Sequence, residues 1–325
     1  MLVALKNLDG VTTPLVFQGS GDLNEMLRNG DISSAFGLPR TGEYHVDGVW
    51  HYGAYEPQYQ DLLRFMKKLY DEKLISVDYL TMESSVAQAM LCTGEAGAFY
   101  GNNSRLNTFL GSLEEGGYFA AGAPMLQADG GRTMYTFADF MVTMDDTTFI
   151  SSESKNVELC LQFYNYLFTE QGNLMRNFGL EGVTYEMVDG EPVYTEFLLK
   201  NPDGYNMDGI ARSYGLINWP GIHSDDQLRQ RHPQQTQIDA YENWGNTDNS
   251  KHVITHTQVL DEYLTDYTNL WVDIDLYMNE CRAKFINGEM DIETEFDDYI
   301  ATLKKMGMDK IVEYKQKTLD AYNAR

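Results

Sequence analysis

The sequence predicts a mixed α/β chain organised as two domains, and three observations carry that prediction. The length of 325 residues exceeds what one hydrophobic core ordinarily serves. Short apolar, strand-like runs alternate with helices whose apolar residues recur at i, i+3, i+4 and i+7. Apolar residues make up 43% of the chain and charged residues 22%, a balance that builds a core rather than a disordered acidic tail.

From the N-terminus, Met1 to Leu8 reads as the end of a helix, stopped by Gly10. Pro14-Leu15-Val16-Phe17 is a strand, and Gly19-Ser20-Gly21 breaks it. Tyr44 to Ala54 reads as a polar, aromatic loop with a turn at Asp47-Gly48. A helix starts near Pro57, where the missing N–H costs nothing, and Leu62, Phe65, Met66 and Leu69 share its apolar face. Ser84 to Leu91 is a shorter helix and Ala96 to Tyr100 a buried strand. Gly101 to Ser104 turns into a helix through Leu106 and Leu110, and Tyr118 to Ala123 is strand-like.

Beyond a polar linker, Phe137 to Met144 is a strand candidate. Ser151, Ser152 and Ser154 offer N-caps to a helix with Val157, Leu161, Tyr164 and Phe168 on one face. The next helix ends at Gly179, in the left-handed position expected after a helix. Val183, Tyr185 and Met187 alternate into a hairpin at Asp189-Gly190, and Val193 resumes the strand. Residues 201–250 read as long loops with short helices. Helices dominate from Thr257 onward, with stops at Gly288 and Gly307; Phe296, Tyr299, Ile300 and Leu303 form one apolar face.

Composition excludes several functions. The formal net charge of -25, from 24 basic and 49 acidic residues, opposes nucleic-acid backbones and anionic membrane surfaces. No run is long and apolar enough to cross a membrane, and the start carries no signal-peptide pattern. The three cysteines, Cys92, Cys160 and Cys281, are widely spaced and read as buried thiols rather than a disulfide framework or a redox pair.

Catalytic and cofactor signatures are missing too: no nucleophile elbow, no P-loop and no dinucleotide fingerprint. His252 and His256 stand four apart, but Val253 occupies the place a zincin gives to glutamate, so the pair reads as surface histidines. The loop from Asn201 to Gly209 lacks the glycine and the closing glutamate of a calcium hand. No catalytic residue, metal or cofactor is expected. Aromatic residues are abundant instead, with 22 Tyr, 15 Phe and 4 Trp. Tyr44, Trp50, Tyr52, Tyr55, Tyr135, Tyr205, Tyr214, Trp219 and Trp244 fall in stretches read as loops. There their flat faces can stack on sugar rings while a polar edge stays wet.

Four stretches resemble one family. Leu69-Tyr70-Asp71-Glu72-Lys73-Leu74-Ile75 is similar to its "LYxEGLI" helix end. Cys92 to Asn103 is similar to its "xxGxxAMxxGxW" strand, with Asn102, Asn103 and Ser104 where a tryptophan is common. Leu167 to Gly172, with Phe178 to Glu186, resembles "LYSEEGxxLxNYGIEGVHYE", and Asp297 to Tyr322 resembles the family's C-terminal pattern. The family is that of the extracellular solute-binding proteins of bacterial ABC importers, family 1, in the LplA-like and aldouronate-transport lipoprotein group.

The resemblance implies a type II periplasmic-binding-protein-like fold: two α/β lobes joined by a hinge. Residues 1–122 and 256–325 would build lobe two, and 123–255 the remainder of lobe one with the hinge crossings. Residue 1 falls inside a helix well within the family pattern, so the chain resembles the C-terminal part of a longer, N-terminally signalled and lipid-anchored protein, with lobe one incomplete. Its implied partners are an oligosaccharide or other small solute and the permease subunits of an importer, on the extracellular face of the membrane. The ligand residues expected are Tyr100, Asn102, Asn103 and Arg105 at the strand end, with Tyr135, Phe137, Trp219 and Trp244 as aromatic platforms. Helix capping by Asn103, an ion pair of Arg105 and packing of Trp219 on Pro220 are the structural alternatives. A peptide ligand, or a glycosidase with two carboxylates across a cleft, are the competing functions.

Overall fold

The computed structural model describes residues 1–17, 26–27, 30–101, 120–124, 149–201, 205, 207–214, 216, 221–222, 224–231, 234–245, 247–248, 251–254 and 258–325. The chain packs as two units: residues 1–138 with 239–325, and residues 139–238.

In the first unit, helix α1 (Leu2–Lys6) leads through Gly10 into strand β1 (Thr13–Phe17). The stretch read as an aromatic loop is a hairpin, β2 (Glu43–Val46) and β3 (Val49–Tyr52). Asp47 and Gly48 take φ of 50° and 83°, the left-handed pair that suits the twist of a two-residue turn. The aromatics in it are therefore structural: Tyr44 and Trp50 are buried. Gln316 pins the hairpin, accepting from Trp50 N at 2.7 Å and donating to Gly48 O at 2.9 Å.

Helix α2 (Tyr59–Asp71) buries Tyr59, Leu62, Leu63, Met66 and Leu69, the face that the spacing predicts with Phe65 at its margin. Helix α3 (Ser84–Cys92) and strand β4 (Ala96–Tyr100) follow. Strand β4 runs parallel to β1, with Thr13 opposite Ala96 and Phe17 opposite Tyr100, and Leu15 also bridges to Ile75. Both faces of this pair are covered, as parallel strands require. Val16 meets Ala87, Leu91 and Ala96 on one side, while Phe17 enters the main core on the other.

The expected strand from Tyr118 to Ala123 is not seen in its described part: residues 120–123 have no regular structure. A packing reason is visible. Gly122 lies so close under a helix that a Cβ there would sit 2.5 Å from the Cβ of Ala240. The strand candidate at 137–144 and the helix through Leu106 and Leu110 lie outside the described residues.

The second unit opens with helix α4 (Val157–Leu167). Asn156, not a serine, is its N-cap; Ser151 and Ser154 accept from the backbone N–H groups of Glu153 and Asn156 in the preceding turn. Its apolar face forms but stays exposed, with Val157 at 41%, Leu161 at 51% and Phe168 at 43%, and only Leu167 of the helix is buried.

Helix α5 (Glu170–Phe178) is capped by Thr169, whose Oγ1 accepts from Gly172 N. Gly179 stops it at φ 87°, ψ -122°, outside the left-handed helical well expected there. That backbone belongs almost to glycine alone, and a Cβ would sit 2.4 Å from Thr184 Oγ1. Thr184, fully buried, donates to Phe178 O and accepts from Leu180 N, so the most family-like motif of the sequence serves as a locked turn. Strands β5 (Tyr185–Val188) and β6 (Glu191–Tyr194) form the expected hairpin. Helices α6 (Glu196–Leu199) and α7 (Met207–Ser213) follow and close a small core of Phe178, Tyr185, Tyr194, Leu198, Ile210, Ala211 and Leu216. Helix α8 (Asp225–Arg231) comes next, and α9 (Gln235–Gly245) spans the unit boundary.

Three helices end the chain within the first unit: α10 (Asp261–Asn287), α11 (Ile292–Met306) and α12 (Met308–Asn323). Gly288 and Gly307 stop the first two, as the sequence predicts. Asp291 caps α11, accepting from Glu293 N at 2.9 Å and Thr294 N at 3.0 Å. Phe285, Phe296, Tyr299 and Leu303 join α2 in the main core, and Tyr299 donates to Ala54 O at 2.8 Å.

Candidate functional site

Strands β1 and β4 end side by side at Phe17 and Tyr100. The carboxyl ends of parallel strands are where open α/β sheets bind ligands, because helix N-termini and loops converge there. Tyr100 is half-buried, and its Oη donates to Asp31 Oδ2 at 2.8 Å. Asp31, also partly exposed, lies just before a short 3-10 turn at Ser33–Phe36. Sequence reading misses it, since a lone aspartate after Gly30 carries no signal until the fold brings it to the strand end.

Of the other expected ligand residues, Asn102, Asn103, Arg105, Tyr135, Phe137 and Trp219 lie outside the described residues. Trp244 does not stand in a loop. It sits near the end of α9, and its Nε1 donates to Ala123 O at 2.8 Å. The indole edge is thus engaged by the backbone of its own unit. Tyr100 and Trp244 make separate sets of polar contacts.

The remaining polar clusters are architectural. His252 is buried rather than on the surface, and it is not helical. Its Nδ1 is 3.3 Å from His45 O and its Nε2 3.6 Å from Asp248 Oδ2. His51 Nδ1 lies 2.8 Å from Glu56 Oε1, and its ring stacks on Tyr44. Burial pushes the Tyr44 phenol above its ordinary range. In the second unit Arg176 is buried, bonded to Asn177 Oδ1 at 3.0 Å and to Ile222 O at 3.3 Å, and its burial lowers the guanidinium pKa. Among the described residues no three His, Cys, Asp or Glu side chains gather to hold a metal ion, and no helix is long and apolar enough to cross a membrane.

Comparison with known proteins bears on the whole chain. Residues 259–324, the three C-terminal helices, match a family described as a domain of unknown function, DUF3502. The lipoprotein LipO of Bacillus subtilis is 25% identical over 263 residues, which are 78% of this chain and 50% of that protein. The chain thus spans about half the length of this curated relative. Among solved structures, the alginate-binding protein AlgQ2 superposes with a TM-score of 0.71 at 20% identity, over 98% of this chain and 66% of that one. An ABC-transporter-associated solute-binding protein of Bifidobacterium longum infantis, described as binding HMO, gives 0.65 at 17% identity over 99% and 68%. The Streptococcus pneumoniae ABC-transporter substrate-binding protein FusA, solved with kestose, gives 0.66 at 17% identity over 99% and 67%. These likenesses establish the fold as the type II periplasmic-binding-protein-like one. The C-terminal family segment, the lipoprotein relative and this fold together support the sequence's resemblance to the extracellular solute-binding proteins of family 1.

Proposed function

We propose that the protein is the substrate-binding component of an ABC importer, which captures a carbohydrate, an oligosaccharide by our reading, and delivers it to a membrane permease. The observation that carries this reading is the fold match over nearly the whole chain to proteins whose names describe binding of sugars rather than turnover. The lipoprotein relative supports a place on the extracellular face of the cell membrane. The mechanism is closure of two lobes around the solute, with no covalent step. We assign residues 1–122 and 256–325 to lobe two, and 123–255 to lobe one and the hinge crossings. Tyr100, Asn102, Asn103 and Arg105 are the proposed polar contacts at the strand end, with Tyr135, Phe137, Trp219 and Trp244 as stacking surfaces.

A thermal-shift panel of oligosaccharides against peptides tests the reading, with product analysis for new reducing ends. A ligand that binds only the native state stabilises it by about 2.7 kcal/mol at a hundredfold excess over Kd, a shift of several degrees. The expected result is a shift with one class of oligosaccharide, none with peptides and no new reducing ends. A shift with peptides alone, or cleavage of the sugar, would contradict it.

A further inference from the structure

The turn between α10 and α11 brings a reactive pair of groups together. Asn287 is the last residue of α10, and Gly288 stops the helix at φ 84°. The Asn287 side chain turns back over this step. Its Oδ1 accepts from Glu289 N at 3.0 Å, and its Nδ2 donates to Glu289 Oε1 at 2.8 Å. An amide bonded to the backbone two residues on holds its carbonyl carbon beside the peptide nitrogen in between. That nitrogen belongs to a glycine, so no Cβ obstructs its approach. Gly288 and Glu289 are exposed, so water and hydroxide reach the step. The Glu289 N–H donates to the very oxygen on which negative charge develops when the amide carbon is attacked. The nearest group across Gly288 is the Lys67 ammonium of α2, 3.1 Å from where a Cβ would stand. A cation there favours loss of the peptide proton.

We propose that Asn287 is a site of spontaneous covalent modification, converted to aspartate and isoaspartate in the folded protein, and that conversion loosens the α10–α11 junction. Hydroxide takes the Gly288 N–H proton, and the nitrogen bonds to Asn287 Cγ. The Cγ–Nδ2 bond breaks, and ammonia leaves with a proton from water. Water then opens the succinimide ring at either carbonyl. One opening gives aspartate, the other isoaspartate, whose main chain runs through the side-chain carbon. No oxidant or reductant enters. The product loses the Nδ2–H bond to Glu289 and sets a second carboxylate against it. The new charge falls where Met290 N closes the helix end on Lys284 O at 3.1 Å and where Asp291 caps α11. This chemistry is independent of ligand binding. The chain's other Asn-Gly step, Asn29-Gly30, begins outside the described residues.

The test is peptide mapping of the full chain after incubation at pH 8 and 37 °C, folded and in urea, with aspartate and isoaspartate products resolved by chromatography and mass. In the folded chain the Asn287 peptide is expected to convert faster than those of Asn7, Asn165 and Asn279, each followed by a bulkier residue, by a factor of about ten or more. An intact Asn287 in the folded chain, with conversion only in urea, would overturn the proposal by showing that the turn protects the amide. So would an intact Asn287 under both conditions. The mapping uses the wild-type protein and needs no variant to fold. Asn287→Asp, which installs one product, should lower the melting midpoint. Adding Glu289→Gln, whose amide donates to the new carboxylate, should restore it. An unchanged midpoint in Asn287→Asp would overturn the loosening of the junction.

Discussion

Asp291 and Trp244 each hold local structure through specific hydrogen bonds to the backbone. Asp291 holds the N-terminus of α11 through the backbone N–H groups of Thr294 and Glu293, which lower its pKa. The adjacent Glu293 is lowered by its hydrogen bond from Arg64. A carboxylate with a depressed folded pKa adds stability above its unfolded pKa, and that stability is lost as pH falls through the folded value. The C-terminal helices should therefore weaken as pH drops below about 4, the ordinary carboxylate range. Circular-dichroism melts from neutral to acid pH check this, and Asp291→Asn should show a shallower acid decline.

Trp244 is half-buried with its indole N–H on Ala123 O, so its truncation removes packing as well as a hydrogen bond. Trp244→Ala is expected to lower the melting midpoint and to weaken sugar binding. Trp219→Ala is expected to weaken binding by about 1–3 kcal/mol with folding kept, in the manner of an aromatic anchor. Calorimetry on both variants checks the pair; unchanged affinity in both would remove these tryptophans from the site.

At the scale of elements, what was legible is what local chemistry decides alone. The apolar spacing of Leu62, Met66 and Leu69 fixes α2, Asp189-Gly190 fixes a hairpin, and Gly288 and Gly307 fix helix ends. The hairpin β2–β3 reads as a loop in the sequence because its strands are four residues each and mix polar with aromatic side chains. Its order comes from a distant partner, Gln316, which no local pattern announces. Tyr118 to Ala123 reads as a strand on composition, yet in its described part Gly122 serves close approach to α9 instead. Asp31 was illegible for the same reason as Gln316: its meaning depends on Tyr100, distant in sequence.

Helix α4 was legible as a helix but not in its environment, since its apolar face stays exposed while α2 buries five residues. Few buried contacts mean cheap local opening. Amides of Val157–Leu167 should exchange faster than those of Tyr59–Asp71 in hydrogen-exchange mass spectrometry. Equal protection in dilute solution would show that the exposed face costs the helix nothing.

Across the whole molecule, the division into two units and the α/β class follow from length and from alternating strands and helices. The family resemblance rests on the motifs at Leu69–Ile75, Cys92–Asn103 and Phe178–Glu186. The last of these holds a turn through Thr184, so a motif can mark a resemblance through its folding requirements. Calorimetric titration with oligosaccharides, followed by analysis of the recovered sugar, separates the proposed binding from any chemistry. Saturable binding of one oligosaccharide per chain, with the sugar recovered intact, is expected. Recovery of shortened sugar with new reducing ends, or the absence of any saturable heat across neutral and acidic oligosaccharides, would contradict it.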